Sequence, residues 1–342
     1  MGYADRVPFH PKYHCVTFFV SSILFKPLRN IDTFLSHYIH LQISLSIMSL
    51  HSILGLSLLT LASVAQAQDC PLQFEGRVPV GTAPTAFDNS NTSLFNPSYN
   101  FGANLTWSQI IKIPTDVPTS LYDGNSTAPF EVTLSDASIF APSSTNVQVG
   151  FRRAELMPLS NNGTDASTTG IKTLHFSIMK DASRPLNLSH EYQIAFLESS
   201  DFSTNQFVLK TGTILDTNNT DSNVLRVVGN VNEGATELFT TAFTDGWHNF
   251  GLKLDFTANT TQVFYSASSK ALESVTEALT NDISGQGQYH FGLLKKPTDF
   301  AAGADISKSG FQESGINEGL IFGGIFMEDS ENCDADTCVE TE

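Results

Sequence analysis

From Phe74 onward the chain alternates short apolar-polar runs with clusters of Gly, Asn, Asp, Ser and Pro, a rhythm that few folds accommodate. Successive side chains of a strand point to opposite faces, so such a run reads as half-buried strand, whereas a helix repeats its apolar positions every three to four residues. The alternation predicts strands over 130–134, 147–156, 173–179, 192–197, 206–210, 224–228, 248–256, 261–265, 289–294 and 319–326. Residues 255–261, between two of these runs, read as a hairpin turn. Only 270–279 predicts a helix, with Ala271, Leu272, Val275, Ala278 and Leu279 on one stripe. Many short strands separated by turn residues predict an all-β jelly roll or sandwich of two antiparallel sheets.

The first residues follow a different pattern. Residues 1–47 hold an apolar run from Cys15 that Lys26 ends well short of the ~20 residues a membrane span needs. A clearer signal starts at Met48: Leu50, Ile53 to Leu56 and Leu58 to Leu61 form an apolar stretch, and Ala65-Gln66-Ala67 is a small-x-small cleavage motif. We read 1–47 as an N-terminal extension, a gene-model artefact, with Met48 as the true start. Residues 48–67 are then a secretory signal peptide, 68–329 one domain, and 330–342 an acidic tail with little apolar content. The expected destination is extracellular, with no membrane association once the signal is cleaved.

Seven Asn-x-Ser/Thr sequons, at Asn91, Asn104, Asn125, Asn162, Asn187, Asn218 and Asn259, fit a secreted glycoprotein. Three cysteines follow the signal, and an oxidising compartment predicts one disulfide among them. Cys70 with Cys333, Cys70 with Cys338, and the local pair Cys333 with Cys338 are all open. The formal charge of -17 makes nucleic acid, anionic membranes and acidic polysaccharides poor partners, and leaves neutral polysaccharides unaffected. No zinc-type His/Cys spacing and no glycine-rich phosphate loop is present, so no metal or cofactor is expected.

Four of the predicted strands carry polar groups on the face opposite their apolar one. In Gly150-Phe151-Arg152-Arg153-Ala154-Glu155-Leu156, a core-facing Leu156 puts Glu155, Arg153 and Phe151 together on the other side. In the second, a core face of Tyr192, Ile194 and Phe196 puts Glu191 and Gln193 outward; in the third, Leu174, Phe176 and Ile178 put His175 and Ser177 outward. The fourth offers Gln288, His290 and Gly292 on one face. The plain alternative for each is a solvated or packed sheet residue, an exposed Arg–Glu pair being worth at most ~1 kcal/mol. Four strands contributing such groups to one surface make a candidate active-site floor.

Several segments taken in order, Asp69-Cys70-Pro71, Phe74-Glu75-Gly76-Arg77-Val78-Pro79, Asn104-Leu105-Thr106-Trp107-Ser108, Arg152-Arg153-Ala154-Glu155-Leu156, His190-Glu191-Tyr192-Gln193 and Gly285-Gln286-Gly287-Gln288-Tyr289-His290-Phe291-Gly292, resemble the fungal glycoside hydrolase family 131. The likeness runs from about Cys70 to about Asp329. It implies a jelly roll whose concave sheet forms an open cleft, and a secreted β-glucanase acting on β-1,3, β-1,6 and β-1,4 linkages with inversion. The implied partner is a neutral β-glucan polysaccharide or oligosaccharide, the expected state a monomer.

Inversion needs a protonated acid at the leaving oxygen and a base that activates water from the far face, with carboxyls ~6.5–9.5 Å apart. The resemblance carries the first carboxylate to Glu155 and, through the His-Glu-Tyr-Gln motif, the second to Glu191. Arg153 beside Glu155 favours its ionised form, which suits a base. His290 and His175 are candidates to orient a carboxylate or bind hydroxyls, Gln193 to bind hydroxyls, and Phe151 and Tyr289 to stack on sugar rings. His248 reads as structural, and Glu198, Glu313 and Glu318 are reserve carboxylates should a strand register be off by one. A jelly-roll polysaccharide lyase and a non-catalytic glucan-binding lectin are the competing readings.

Overall fold

The computed structural model describes residues 70–159, 163–215, 217 and 221–333. The expected extension and signal peptide, Cys338, most of the acidic tail, Asn162 and Asn218 lie outside the described residues. The strands are β1 (Leu72–Glu75), β2 (Ile111–Lys112, after the short helix α1, Trp107–Ile110), β3 (Phe130–Ser135), β4 (Arg152–Leu156) and β5 (Ile171–Lys180). They continue with β6 (Glu191–Glu198), β7 (Asn205–Gly212), β8 (Val224–Val228), β9 (Glu237–Ala242) and β10 (His248–Asp255). Last come β11 (Thr260–Ala267), β12 (Glu273–Ser274), β13 (Leu279–Thr280), β14 (Gln288–Lys295) and β15 (Asn317–Asp329).

All pairings are antiparallel and make two sheets, a jelly-roll sandwich as the strand rhythm predicts. A nine-stranded sheet runs β12-β11-β10-β5-β15-β3-β2, with β1 added to β15 and β13 to β11; a six-stranded sheet runs β4-β14-β6-β7-β8-β9. The core lies between them, where Leu174, Phe176 and Ile178 of β5 and Phe250, Leu252 and Leu254 of β10 meet Leu156, Tyr192, Phe291 and Leu293 from the smaller sheet. Phe176 and Phe291 touch edge to face at 6.1 Å. Each such fully buried side chain contributes about 1.5–3 kcal/mol, which leaves both outer sheet faces free for polar residues.

Two sequence expectations are corrected. Residues 270–279 form no helix: they supply β12 and the start of β13 as edge strands on β11, and Val275 is 37% exposed. Ala271, Val275 and Ala278 of the stripe stay exposed, Leu279 packs on the core from an edge strand, and ladder bonds to β11 win. The strand expected over 147–156 begins only at Arg152. Gly150 is wedged where a Cβ would meet Ile306 O at 2.1 Å, and its N–H donates to Ser307 O, so the preceding residues run as loop.

Among the open cysteine pairings, Cys70 bonds Cys333 with Cα atoms 5.8 Å apart, beside the β1–β15 ladder. Closing so long a loop restricts the unfolded chain and stabilises the fold by about 2–4 kcal/mol. Sequons Asn91, Asn104, Asn125 and Asn187 are exposed, and Asn259 is half-buried in the β10–β11 turn at φ 54°.

Candidate active site

The polar cluster grows from β4, on the outer face of the six-stranded sheet. Ala154 and Leu156 enter the core, so Arg153 and Glu155 face outward together. Arg153 grips the carboxylate with two bonds, Nε to Oε1 at 2.6 Å and Nη2 to Oε2 at 2.8 Å, the forked geometry that makes such pairs strong. The aromatic ring of Phe101 lies 4.5 Å from the guanidinium, with Phe140 beside it at 5.3 Å. Under this cover Glu155 is 0% exposed.

The next strand, β14, brings the histidine. Gly292 pairs with Glu155, and a Cβ there would meet Ala154 O at 2.0 Å, so only glycine lets the strands close at this point. Two residues before it, His290 points its Nδ1 at Glu155 Oε2 at 2.9 Å. Its ring stacks on Phe196 of β6, centroids 4.4 Å apart and planes within 10°.

Phe196 was expected in the core. A bulge at Ile194–Ala195 sets both of those residues inward and reverses the alternation beyond them, so Phe196 and Glu198 come out onto the site face. Glu198 Oε2 then stands 3.6 Å from His290 Nε2, a nitrogen that has no hydrogen-bond partner. Glu155 and Glu198 therefore bracket one imidazole from the two strands that flank β14. The imidazole fills the space between the two carboxylates, 2.9 Å from one and 3.6 Å from the other.

Burial alone pushes the Glu155 carboxyl up, but the Arg153 charge together with bonds from His290 and Arg153 overrides it and holds the group at about 2. Burial lowers His290, yet its bond to Glu155 and the nearby charges of Glu155 and Glu198 outweigh that and raise it above the ordinary 6.5. Each shift acts on stability in its own window. For Glu155, depressed from 4.5 to about 2, the stabilisation is fully present above pH 4.5 and is lost as the pH falls toward about 2. A shift of that size corresponds to about 3 kcal/mol. For His290 the stabilisation is present below 6.5 and is lost as the pH rises through its raised value. Urea midpoints at about pH 6 and about pH 3 are expected to show an acid loss that Glu155→Gln largely removes; an unchanged acid slope would reject this pairing.

The remaining candidates separate. Glu191 is on the same face, but at the other end of β6 from the His290 cluster, where it is held by Lys296 Nζ at 2.7 Å, Lys210 Nζ at 3.3 Å and the Leu215 N–H at 2.9 Å. Gln193, also on this face, accepts from Asn205 at 3.0 Å. His175 is a correction: β5 belongs to the other sheet, and there His175 meets Glu328 at 2.9 Å and stacks on Phe326, across the core from Glu155. Alternation gave its face but could not give its sheet. Tyr289 is a second correction, because it packs in the core with its hydroxyl donating to Ser167 O at 2.9 Å and cannot stack on a sugar. Phe151 precedes β4, half-buried, rather than extending its outer face. Glu313 and Glu318 neutralise the buried Lys295, and His248, at the start of β10, bonds Tyr265 of β11 and the Thr244 carbonyl.

Beside Glu198 the sheet ends in a depression of about 450 Å³ lined by Ser199, Thr204, Gln206, Asn230 and Asp282 among others, a set of hydroxyl, amide and carboxylate groups. The Phe101 cover sits in a loop with no motif to announce it, and Glu198, named from the sequence only as a reserve carboxylate, comes onto this face through the register shift at the bulge.

The chain is similar to the catalytic domain of a β-glucanase of family 131 from Podospora anserina, at 22% identity and a TM-score of 0.60, over 78% of this chain and 98% of that one. It is likewise similar to the family 131 catalytic domain from Coprinopsis cinerea, at 19% identity and a TM-score of 0.58, over 78% and 97%. At these identities the likeness establishes the shared fold. Among curated protein sequences none matches. The sequence profile of the glycoside hydrolase 131 catalytic N-terminal domain matches residues 72–333, nearly the whole of the two sheets, and on that match the chain belongs to glycoside hydrolase family 131.

Proposed function

We propose that this glycoside hydrolase is a secreted, monomeric enzyme that cleaves neutral β-glucans, of β-1,3, β-1,6 and β-1,4 linkage, with inversion. The observation that carries the reading is the pair of carboxylates bracketing His290. The activity named for the Podospora anserina domain points to the same substrate class.

Glu198, at 27% exposure, is the carboxyl a substrate can reach, and we assign it the proton donated to the leaving oxygen. The His290 imidazolium, whose free Nε2 faces it, returns that proton. Glu155, held ionised, cannot donate a proton near neutral pH, and takes the part of base. Phe101 must turn aside for its water to enter. In this reading Glu191 is displaced from the reacting pair. The hydroxyls and amides beyond Glu198 would hold sugar residues through hydrogen bonds.

The test is incubation with laminarin, a β-1,6-glucan and a soluble cellulose derivative, following new reducing ends and the anomer first released. New ends as the α-anomer are expected. The β-anomer would overturn the assigned roles, and no release from any of the three would overturn the glucanase reading. An unsaturated, ultraviolet-absorbing product from a uronate polymer would establish a lyase instead.

A further inference from the structure

The far end of the site face carries charges of the opposite sign to the rest of the protein. Lys210 and Lys296, only 10% and 17% exposed at their side chains, converge on the single carboxylate of Glu191. Arg226 lies on the neighbouring strand, bonded through Nη1 to Glu237 at 2.6 Å, while its buried Nε has no partner. These groups line one depression of about 380 Å³. An ammonium group has three N–H donors, and no hydrogen bond or ion pair of either lysine to a carboxylate other than Glu191 is found among the described residues. Among the described residues that line the pocket, three cations stand against Glu191 and Glu237, one positive charge in excess, inside a chain of formal charge -17.

Such an arrangement is costly unless it is used. Holding ammonium groups out of water needs compensation, and one buried carboxylate does not match two lysines. We infer that this depression is a subsite for one carboxylate-bearing sugar residue on the glucan chain, bound by Lys210, Lys296 and the free Arg226 Nε. The inference rests on the glucanase reading for the chain that carries the acid, and on the pocket alone for the acid itself. Polyuronates remain excluded, because the surrounding negative surface repels a polyanion while the pocket accepts a single charge. Two oxidised sugars present that chemistry: a uronate, oxidised at C6 within a chain, and an aldonate, oxidised at C1 at its end. The site lies at the opposite end of β6 from Glu198, so an acid seated here places neutral residues of the same chain over the bracketed imidazole.

Calorimetric titration of the whole protein with a neutral β-gluco-oligosaccharide and with its C6-oxidised and C1-oxidised forms tests this. At least one acid is expected to bind roughly tenfold tighter than the neutral form, as charge-assisted hydrogen bonds allow, and the favoured acid identifies the source. Lys296→Met and Lys210→Met should each abolish most of that preference, and Glu191→Gln, which releases both lysines, should enlarge it. The variants push in opposite directions, so a general loss of fold cannot imitate the result. Equal affinity for all three ligands, or a preference that survives both lysine variants, would overturn the subsite. Failure of the glucanase reading would show separately, as acid binding retained without release of reducing ends from any neutral glucan.

Discussion

Glu198→Gln is expected to lower kcat on β-glucan by roughly 10³–10⁴-fold while leaving the thermal midpoint nearly unchanged. Removal of a positioned acid typically costs 10²–10⁴-fold, and the upper part of that range applies where the group meets the leaving oxygen directly. The stability half follows from the environment: Glu198 is partly exposed, and its ion-pair partner among the described residues, His290 at 3.6 Å, is beyond hydrogen-bond distance. Steady-state kinetics beside a thermal scan read both numbers. A variant that keeps a tenth or more of the activity would remove Glu198 from the reacting pair.

Glu155 behaves differently, because its partners are buried with it. Glu155→Gln is expected to abolish hydrolysis and also to destabilise by about 3–5 kcal/mol, since Arg153 is left as a buried charge without its counter-ion. Arg153→Met should cost a similar amount for the mirror-image reason. Replacing both together, Arg153→Met with Glu155→Leu, should recover most of the stability, as apolar replacements of buried pairs often do, yet remain inactive. Denaturant titration of the three variants, with activity measured beside it, separates holding the fold from doing the chemistry. A double variant no more stable than the singles would show that the pair is not an isolated unit.

Strand alternation carried most of the architecture because most strands here put apolar side chains toward the core and largely polar ones on the opposite face, even where both faces are buried. It located the outward pair Arg153–Glu155 for the same reason: Ala154 and Leu156 leave that pair no other face. It failed at three places with distinct causes. His175 alternates as well as His290 does, but which sheet a strand joins depends on long-range pairing, and β5 pairs with β10 and β15. Alternation puts Phe196 on the wrong face, and reaches Glu198 only as a reserve carboxylate for a shifted register, because of one extra residue at Ile194–Ala195 that no local signal marks, both bulge residues being ordinary apolar ones. The 270–279 stripe has helical spacing, but only Leu272 and Leu279 of it are half-buried, and Leu279 reaches the core from an edge strand. Glu191 is a subtler case, since the motif and the face were legible, and only the positions of Lys210 and Lys296 from other strands show how its carboxylate is engaged.

The Cys70–Cys333 bond fixes where anything attached to this domain must begin. The described residues begin and end together at this bond, beside β1 and β15 in the nine-stranded layer, with the full thickness of the core between them and the site face. A fusion partner or surface tether joined at either end would hold the molecule from behind. The groove would stay turned toward the polymer, so immobilisation through either terminus should leave turnover on long, insoluble chains intact.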